Sequence, residues 1–224
     1  MSLATVIVSL IAIMILPFPV IFRIKVIRVY SLVVIFILKH LCHINVSVEG
    51  IENIPKNTSI IFSKHQSTWE TLALQIYFPP QTFVIKRQLL LVPFFGWGLS
   101  AMKPIAINRG AGRSAINQIV KQGIERLKNG ICIVIFPEGT RGQPGQKMKY
   151  KVGGAILAVE SGYPIVPVAH NAGSFWSKGQ FLKKPGTITM VIGPTIKTEG
   201  KKAEDVMSES ETWIESEMKR IQPE

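Results

Sequence analysis

The run Ile131-Cys-Ile-Val-Ile-Phe136 limits the fold more than any other feature of the chain. It is apolar at every position and reads as a strand buried on both faces. Such strands belong to parallel sheets, whose crossover helices cover both sides. The flanking segments agree. Over residues 113–128, Ile116, Ile119, Val120, Ile124 and Leu127 share one helical face, and Asn129-Gly130 supplies the stop. Further strands are expected at 59–62, 82–86, 105–108, 164–169 and 187–192, with helices at 68–77, 152–161 and 203–221. This alternation predicts an α/β fold: a mixed, largely parallel sheet flanked by helices, occupying residues 45–224.

Residues 3–22 carry no charge and are mostly apolar around the whole helical circumference. Their number is near the roughly 20 needed to cross a bilayer. No Lys or Arg precedes them, which argues against a secretory signal peptide. Pro17 and Pro19 break or kink the end of the run. Arg23, Lys25 and Arg28 follow at once, which the positive-inside rule places in the cytoplasm. A second apolar run, 29–38, is too short to cross at about 1.5 Å per residue. It is expected to lie in the interface or to pair with the first as a half-buried hairpin. Residues 1–44 are therefore read as an N-terminal membrane helix or helical hairpin. It would anchor the following domain to the inner or cytoplasmic membrane, on the cytoplasmic face.

The net charge is +12, from 26 Lys and Arg against 14 Asp and Glu, and 47% of residues are hydrophobic. A chain both basic and greasy suits a partner that is anionic and greasy, a phospholipid membrane. No zinc-finger spacing, aromatic-interleaved RNA motif or basic helix with heptads is present, so nucleic acid is not expected as a partner. Cys42 and Cys132 lie far apart in apolar surroundings, which fits a reducing compartment. His40, Cys42 and His43 crowd three candidate ligands together with no fourth partner elsewhere, so no metal is expected.

Three segments carry chemistry. The first is Lys64-His65-Gln66-Ser67-Thr68-Trp69-Glu70, where a strand ends and a helix begins, at the sheet edge where α/β folds bind ligands. His65 and Glu70 are five residues apart, about 140° around a straight helix. They can meet only if His65 precedes the helix and folds back over its first turn. The carboxylate would then fix the imidazole tautomer and leave the other nitrogen as a base for a hydroxyl. Ser67-x-x-Glu70 is also a capping box, which needs no catalysis. The second segment is Phe136-Pro-Glu-Gly-Thr-Arg141, directly after the apolar strand. Its tight loop can turn backbone donors inward, and Arg141 can grip a phosphate with two hydrogen bonds. The third spans 86–109, with Lys86, Pro93, Gly96 and a closing Ile-Ala-Ile-Asn-Arg109. Arg109, like Arg141, leaves a strand end, so the two can converge on one anion. Gly96-x-Gly98-x-x-Ala101 matches a dinucleotide fingerprint in form only: it opens no amphipathic helix, and no acidic residue follows about 20 positions on.

Taken in order, His-x4-acid, then Gly…Arg, then FPEGTR, then Val166-Pro167-Val168, the sequence resembles the glycerolipid acyltransferase family that includes 1-acylglycerol-3-phosphate acyltransferases. The resemblance runs over about residues 45–195. It implies that His65 and Glu70 are the catalytic pair. It implies that Arg109, Glu138, Gly139, Thr140 and Arg141 hold the acceptor's phosphate, and that Val166, Pro167 and Val168 help to build the acyl-binding region. Lys86 and Gly96 are additional candidates. Glu70 stands where Asp is commoner, and Lys64 where Asn is frequent. The implied reaction moves an acyl chain from acyl-CoA or acyl carrier protein to the free hydroxyl of a lysophospholipid such as 1-acylglycerol-3-phosphate, giving phosphatidic acid, with no cofactor. The alternatives are another lysophospholipid acceptor, a lipid hydrolase, or a non-catalytic membrane adaptor. The serine type of hydrolase lacks its Gly-x-Ser-x-Gly elbow here.

Overall fold

The structure, a computed structural model, describes residues 3–108 and 110–222. The chain opens with two helices, α1 (Leu3–Met14) and α2 (Val20–Cys42), on either side of the turn holding Pro17 and Pro19. There follow β1 (Ile44–Glu49), β2 (Ile60–Ser63), α3 (Trp69–Tyr77), β3 (Gln81–Lys86), α4 (Phe95–Ser100) and β4 (Ile105–Ile107). The second half comprises α5 (Arg113–Lys128), β5 (Cys132–Ile135), α6 (Gly153–Ser161), β6 (Ile165–His170), α7 (Ala172–Phe175), β7 (Gly186–Ile192) and α8 (Ala203–Ile221).

The strands form one sheet in the order β1-β7-β6-β2-β5-β3-β4. β2 to β6 all run the same way, while β7 pairs antiparallel with β6 and parallel with β1. The sheet is thus mixed and mostly parallel, as the apolar strands require. β2 holds the centre, so whatever follows it emerges in the middle of the carboxyl edge.

Alternation along the strands divides the core in two. Ile61, Val134 and Val166 point to one side, where Ile24 and Ile27 of α2 and Trp69 and Leu74 of α3 cover them. Ile60, Phe62 and Ile133 point to the other, beneath Ile119 of α5, Leu157 of α6 and Ile214 of α8. Pro167 sits inside this sheet although proline cannot donate to a ladder. The antiparallel pairing with β7 covers only Val168 to His170, so no ladder bond is lost at position 167, and the Pro167 carbonyl accepts the Gly193 N–H at 2.9 Å.

The N-terminal region differs from a single span over 3–22. The prolines split that run, and α1 has 12 residues, about 18 Å at the usual rise. The basic cluster Arg23, Lys25 and Arg28 is helical, and the apolar run 29–38 continues the same helix as α2. Among the described residues no helix is long and apolar enough to cross a membrane. Two helices joined by the proline turn are present, and they are packed onto the domain. α1 lies on α4, where a Cβ on Gly98 would meet Ser9 Cα at 2.9 Å. α2 lies along α3, and the Arg28 guanidinium donates to the Ile76 carbonyl at 2.8 Å, satisfying an orphan group at the end of α3.

α6 approaches the sheet so closely that a Cβ on Gly154 would meet the Phe62 ring at 2.7 Å and Ile135 Cδ1 at 3.1 Å. Gly154→Ala should therefore lower stability by about 1–3 kcal/mol through overpacking. This should hold even though alanine is the better helix former by up to about 1 kcal/mol. Denaturant unfolding measures the difference; a raised midpoint would mean that the ring gives way.

Candidate active site

His65 leaves the carboxyl end of β2 and precedes α3, so the fold-back that its spacing from Glu70 demands is met. Its Nδ1 lies 2.8 Å from Glu70 Oε1. The same carboxylate accepts the backbone N–H of Gln66 at 3.0 Å and of Ser67 at 2.9 Å. Ser67 Oγ in turn accepts the Trp69 N–H at 3.2 Å. The half of a capping box in which Glu70 reaches back to the Ser67 N–H is thus present, while Ser67 Oγ takes the Trp69 N–H instead of that of Glu70, and this half-box and the His–acid pair share one carboxylate.

Glu70 is fully buried. Burial pushes its carboxyl up, but the facing His170, the His65 ring and the Ser67 N–H pull harder, and the net direction is down. His170 stands 3.9 Å away, equally buried. Burial holds His170 below its ordinary value and neutral. Its partners fix the tautomer: the Ala172 N–H donates to Nδ1 at 3.3 Å, and Nε2–H donates to the Lys64 carbonyl at 2.8 Å. His170 adds its pull on Glu70 only when protonated; while it is neutral, the His65 ring and the loop N–H groups hold the charge.

The His65 ring stacks on Phe136, centroids 3.9 Å apart and planes 12° off parallel. Phe136 begins the FPEGTR loop, so β5 supplies the platform for the ring that β2 delivers. The side chain keeps 15% of its surface exposed. With Nδ1–H given to Glu70, Nε2 carries the lone pair and is the ring's free proton acceptor. The His65 carbonyl accepts the Gly142 N–H at 2.9 Å, which ties the far end of the FPEGTR loop to the same residue.

The FPEGTR residues part company. Glu138 turns inward: Oε2 accepts the His65 N–H at 3.0 Å and Oε1 pairs with Lys64 Nζ at 2.8 Å. Lys64 Nζ also reaches Glu215 Oε1 of α8 at 2.7 Å, and Tyr150 donates to that oxygen at 2.9 Å. Burial is the largest influence on Lys64 and lowers it, but the two carboxylates prevail and hold it protonated. Burial pushes Glu138 up to about 7 against the pull of Lys64. Glu138, which the resemblance put among the phosphate-holding residues, here braces the loop that carries His65. Gly139 adopts φ of 73°, where a side chain is strained, and a Cβ would meet Lys151 Nζ at 2.8 Å. Thr140 is exposed. Arg141 donates to Thr68 Oγ1 at 3.1 Å, over the start of α3 and three residues from His65. Among the described residues no carboxylate pairs with Arg141.

The other candidates lie farther out. Arg109 falls outside the described residues; β4 ends at Ile107, two positions before it, at the same carboxyl edge. Lys86 is exposed at the end of β3. Gly96 is buried in α4, where a Cβ would meet the Leu90 carbonyl at 2.4 Å, which makes its role one of close packing. Val166, Pro167 and Val168, expected to build an acyl-binding region, are buried within β6, between β2 and β7. Their hydrophobicity serves the core. No group of His, Cys, Asp and Glu among the described residues could hold a metal. Sequence reasoning missed the Lys64–Glu215–Tyr150 cluster, because nothing local marks a partner 151 residues away. It also gave Phe136 no role, although an aromatic residue at a strand end beside the loop was a readable signal.

Comparisons with known proteins show the family. Residues 45–171 match the Acyltransferase family. A curated 1-acyl-sn-glycerol-3-phosphate acyltransferase of Pseudomonas aeruginosa is 48% identical over 183 residues, covering 80% of this chain and 71% of that protein. The chloroplastic enzyme LPAT1 of Arabidopsis thaliana, named for the same activity, is 28% identical over 77% of this chain and 49% of its own length. The crystal structure of the 1-acyl-sn-glycerophosphate acyltransferase from Thermotoga maritima superposes with a TM-score of 0.75, at 25% identity, over 89% of this chain and 80% of that one. The chain belongs to the acyltransferase family that includes the 1-acyl-sn-glycerol-3-phosphate acyltransferases.

The raised Glu138 predicts a pH dependence. An acid held higher in the fold than its ordinary 4.5 binds its proton more tightly when folded. Its contribution to stability is complete below pH 4.5 and is lost as pH rises through about 7. Glu138→Gln should flatten the fall in melting temperature over this window. Parallel slopes for variant and parent would refute the assignment.

Proposed function

We propose that this protein transfers an acyl chain from a thioester, on coenzyme A or acyl carrier protein, to the free hydroxyl of 1-acylglycerol-3-phosphate, giving phosphatidic acid. The observation that carries the reading is the His65–Glu70 pair at 2.8 Å, its Nε2 free, in a chain 48% identical to a protein named for this activity.

In the proposed mechanism Glu70 accepts Nδ1–H and stabilises the imidazolium that forms. Nε2 takes the proton of the acceptor hydroxyl while its oxygen attacks the thioester carbonyl. The tetrahedral oxyanion collapses, the C–S bond breaks, and the imidazolium returns its proton to the departing sulfur. The alcohol is the nucleophile, so no acyl-enzyme intervenes. Arg141, without a carboxylate partner among the described residues and bonded to Thr68 at the start of α3, grips the acceptor phosphate, with Thr140 next to it; Arg109 is assigned to the same phosphate from its place in the sequence. The supporting elements are Glu138, which fixes the His65 backbone, and Gly139, which lets the loop turn.

The reading places the protein at the inner or cytoplasmic membrane. Val29, Val33, Phe36 and Leu41 of α2 are 57%, 50%, 62% and 76% exposed, and Met14 of α1 is 76% exposed. Exposed apolar residues this contiguous mark a lipid- or partner-facing surface. With these side chains turned outward, α1 and α2 lie in the interface and bring the site to its lipid acceptor.

His65→Ala should abolish transfer, a loss of at least ~10²-fold, with the fold intact by circular dichroism. Glu70→Asp should retain measurable transfer. Arg141→Ala should lower kcat/KM for the acceptor about ten- to a hundredfold and leave the thioester KM nearly unchanged, with Arg141→Lys recovering part. Full activity of His65→Ala, or normal acceptor saturation by Arg141→Ala with a lowered melting temperature, would remove the support for these roles.

A further inference from the structure

The loop between α7 and β7 takes no part in the chemistry above, yet it carries the two most exposed large hydrophobic residues described. Its sequence is Trp176-Ser-Lys178-Gly-Gln-Phe181-Leu182-Lys183-Lys184-Pro-Gly186. Phe181 is 88% exposed and Leu182 79%, the highest values among the described large hydrophobic residues. Water does not favour two adjacent apolar side chains at a tip, and the loop is not slack at its base. The Lys184 N–H donates to the Phe175 carbonyl at 2.9 Å, and the Gly186 N–H donates to the His43 carbonyl at 3.0 Å. Lys183 Nζ lies 4.8 Å from the Trp176 ring centroid and 5.4 Å from that of Phe181. The stem is thus tied down while the two apolar residues are turned out.

Its place in the fold gives the tip a meaning. β7 runs antiparallel to β6, so the loop that enters β7 lies at the carboxyl edge of β2 and β5, the edge that carries His65. Gly186 at its end pairs with Ile44, just after the last turn of α2. Along α2, Val29, Val33, Ile37 and Leu41 recur every four residues and are 57%, 50%, 43% and 76% exposed. This ridge ends where the base of the loop begins, so Phe181 and Leu182 continue the apolar surface of α2 toward the catalytic edge. The charge is of one sign. Lys178 and Lys184 are exposed, Lys39 is exposed at the end of α2, and no acidic residue occurs from position 161 to 198.

We infer that the 176–186 loop is a second lipid-insertion element, separate from α1 and α2. Phe181 and Leu182 enter the acyl boundary of an anionic phospholipid leaflet while Lys178, Lys183 and Lys184 meet its phosphates. With α2, whose exposed ridge ends beside the base of the loop, it forms two points of attachment, which fixes the tilt of the site over the bilayer. The inference rests on the reading that the protein works at a lipid surface.

The test uses the full chain with Leu182→Cys in a Cys42→Ser background, since Cys132 is buried. An environment-sensitive fluorophore is attached at position 182, and a control label is placed at Ser216→Cys on α8, beyond the opposite face of the sheet. Vesicles of phosphatidylcholine with phosphatidylglycerol, some carrying brominated acyl chains, are added while sedimentation is followed in parallel. A blue shift and bromine quenching at position 182 but not at 216, weaker on phosphatidylcholine alone and at high salt, is the expected result. Protein that sediments with vesicles while the 182 label stays in water overturns the inference and leaves the lipid-surface reading standing. Protein that does not sediment overturns both. In a second arm, Phe181→Ser with Leu182→Ser should raise KM severalfold for an acceptor presented in vesicles. The same variant should leave KM unchanged for a short-chain acceptor in solution; an equal effect on both means that the loop shapes the site instead.

Discussion

A carboxylate with no exposed surface, Glu70, sits under the start of α3 and dictates what surrounds it. Taking such an ion out of water costs several kcal/mol, so it is tolerated only among donors. The backbone of Gln66 and Ser67 and the ring of His65 supply them. Those contacts require residues 65–67 to wrap over the first turn of α3. The wrapped loop holds His65 in one tautomer, with Nε2 free. The geometry a base needs is therefore a by-product of neutralising a buried charge.

A second buried charge lies one residue before His65. Lys64 is 2% exposed at the end of the central strand, and its partners come from the FPEGTR loop and from α8. Because Glu138 binds both Lys64 Nζ and the His65 N–H, the loop after β5 and the loop after β2 form one unit. Glu215 extends that unit to the C-terminal helix. Removing one partner of such a pair leaves a charge stranded, so all three elements are held to a common position. Phe136 completes the junction by stacking beneath the imidazole.

The two faces of the sheet carry different surfaces outward. On one side α1 and α2 pack inward through Ala12, Ile24 and Ile27 and still leave large apolar residues in solvent. On the other, α8 shows Glu204, Asp205 and Glu209. In the proposed reading, this asymmetry of apolar helices on one face and an acidic helix on the other turns the apolar face toward an anionic lipid surface.

Local patterns settle what depends on neighbours along the chain. The periodicity of Arg113–Lys128 and Ala203–Ile221 encodes which side of each helix is buried, and both helices occur at those bounds. The five-residue step from His65 to Glu70, with a capping box inside it, leaves one way for the two side chains to meet, so that contact was legible too. Basic residues in a mostly apolar stretch misled the reading. Arg23, Lys25 and Arg28 look like a break, yet arginine and lysine are good helix formers and α2 runs straight through them. Nothing local revealed that β1 pairs with β7 in parallel, that Pro167 lies inside the sheet, or that Lys64 meets Glu215. Sequence by itself determined the layered α/β class, the His–acid pair and the apolar character of the N-terminus. Only the tertiary structure decided the strand order, the inward turn of Glu138 and the seating of α1 and α2, because those rest on contacts between residues far apart, selected by packing and charge burial.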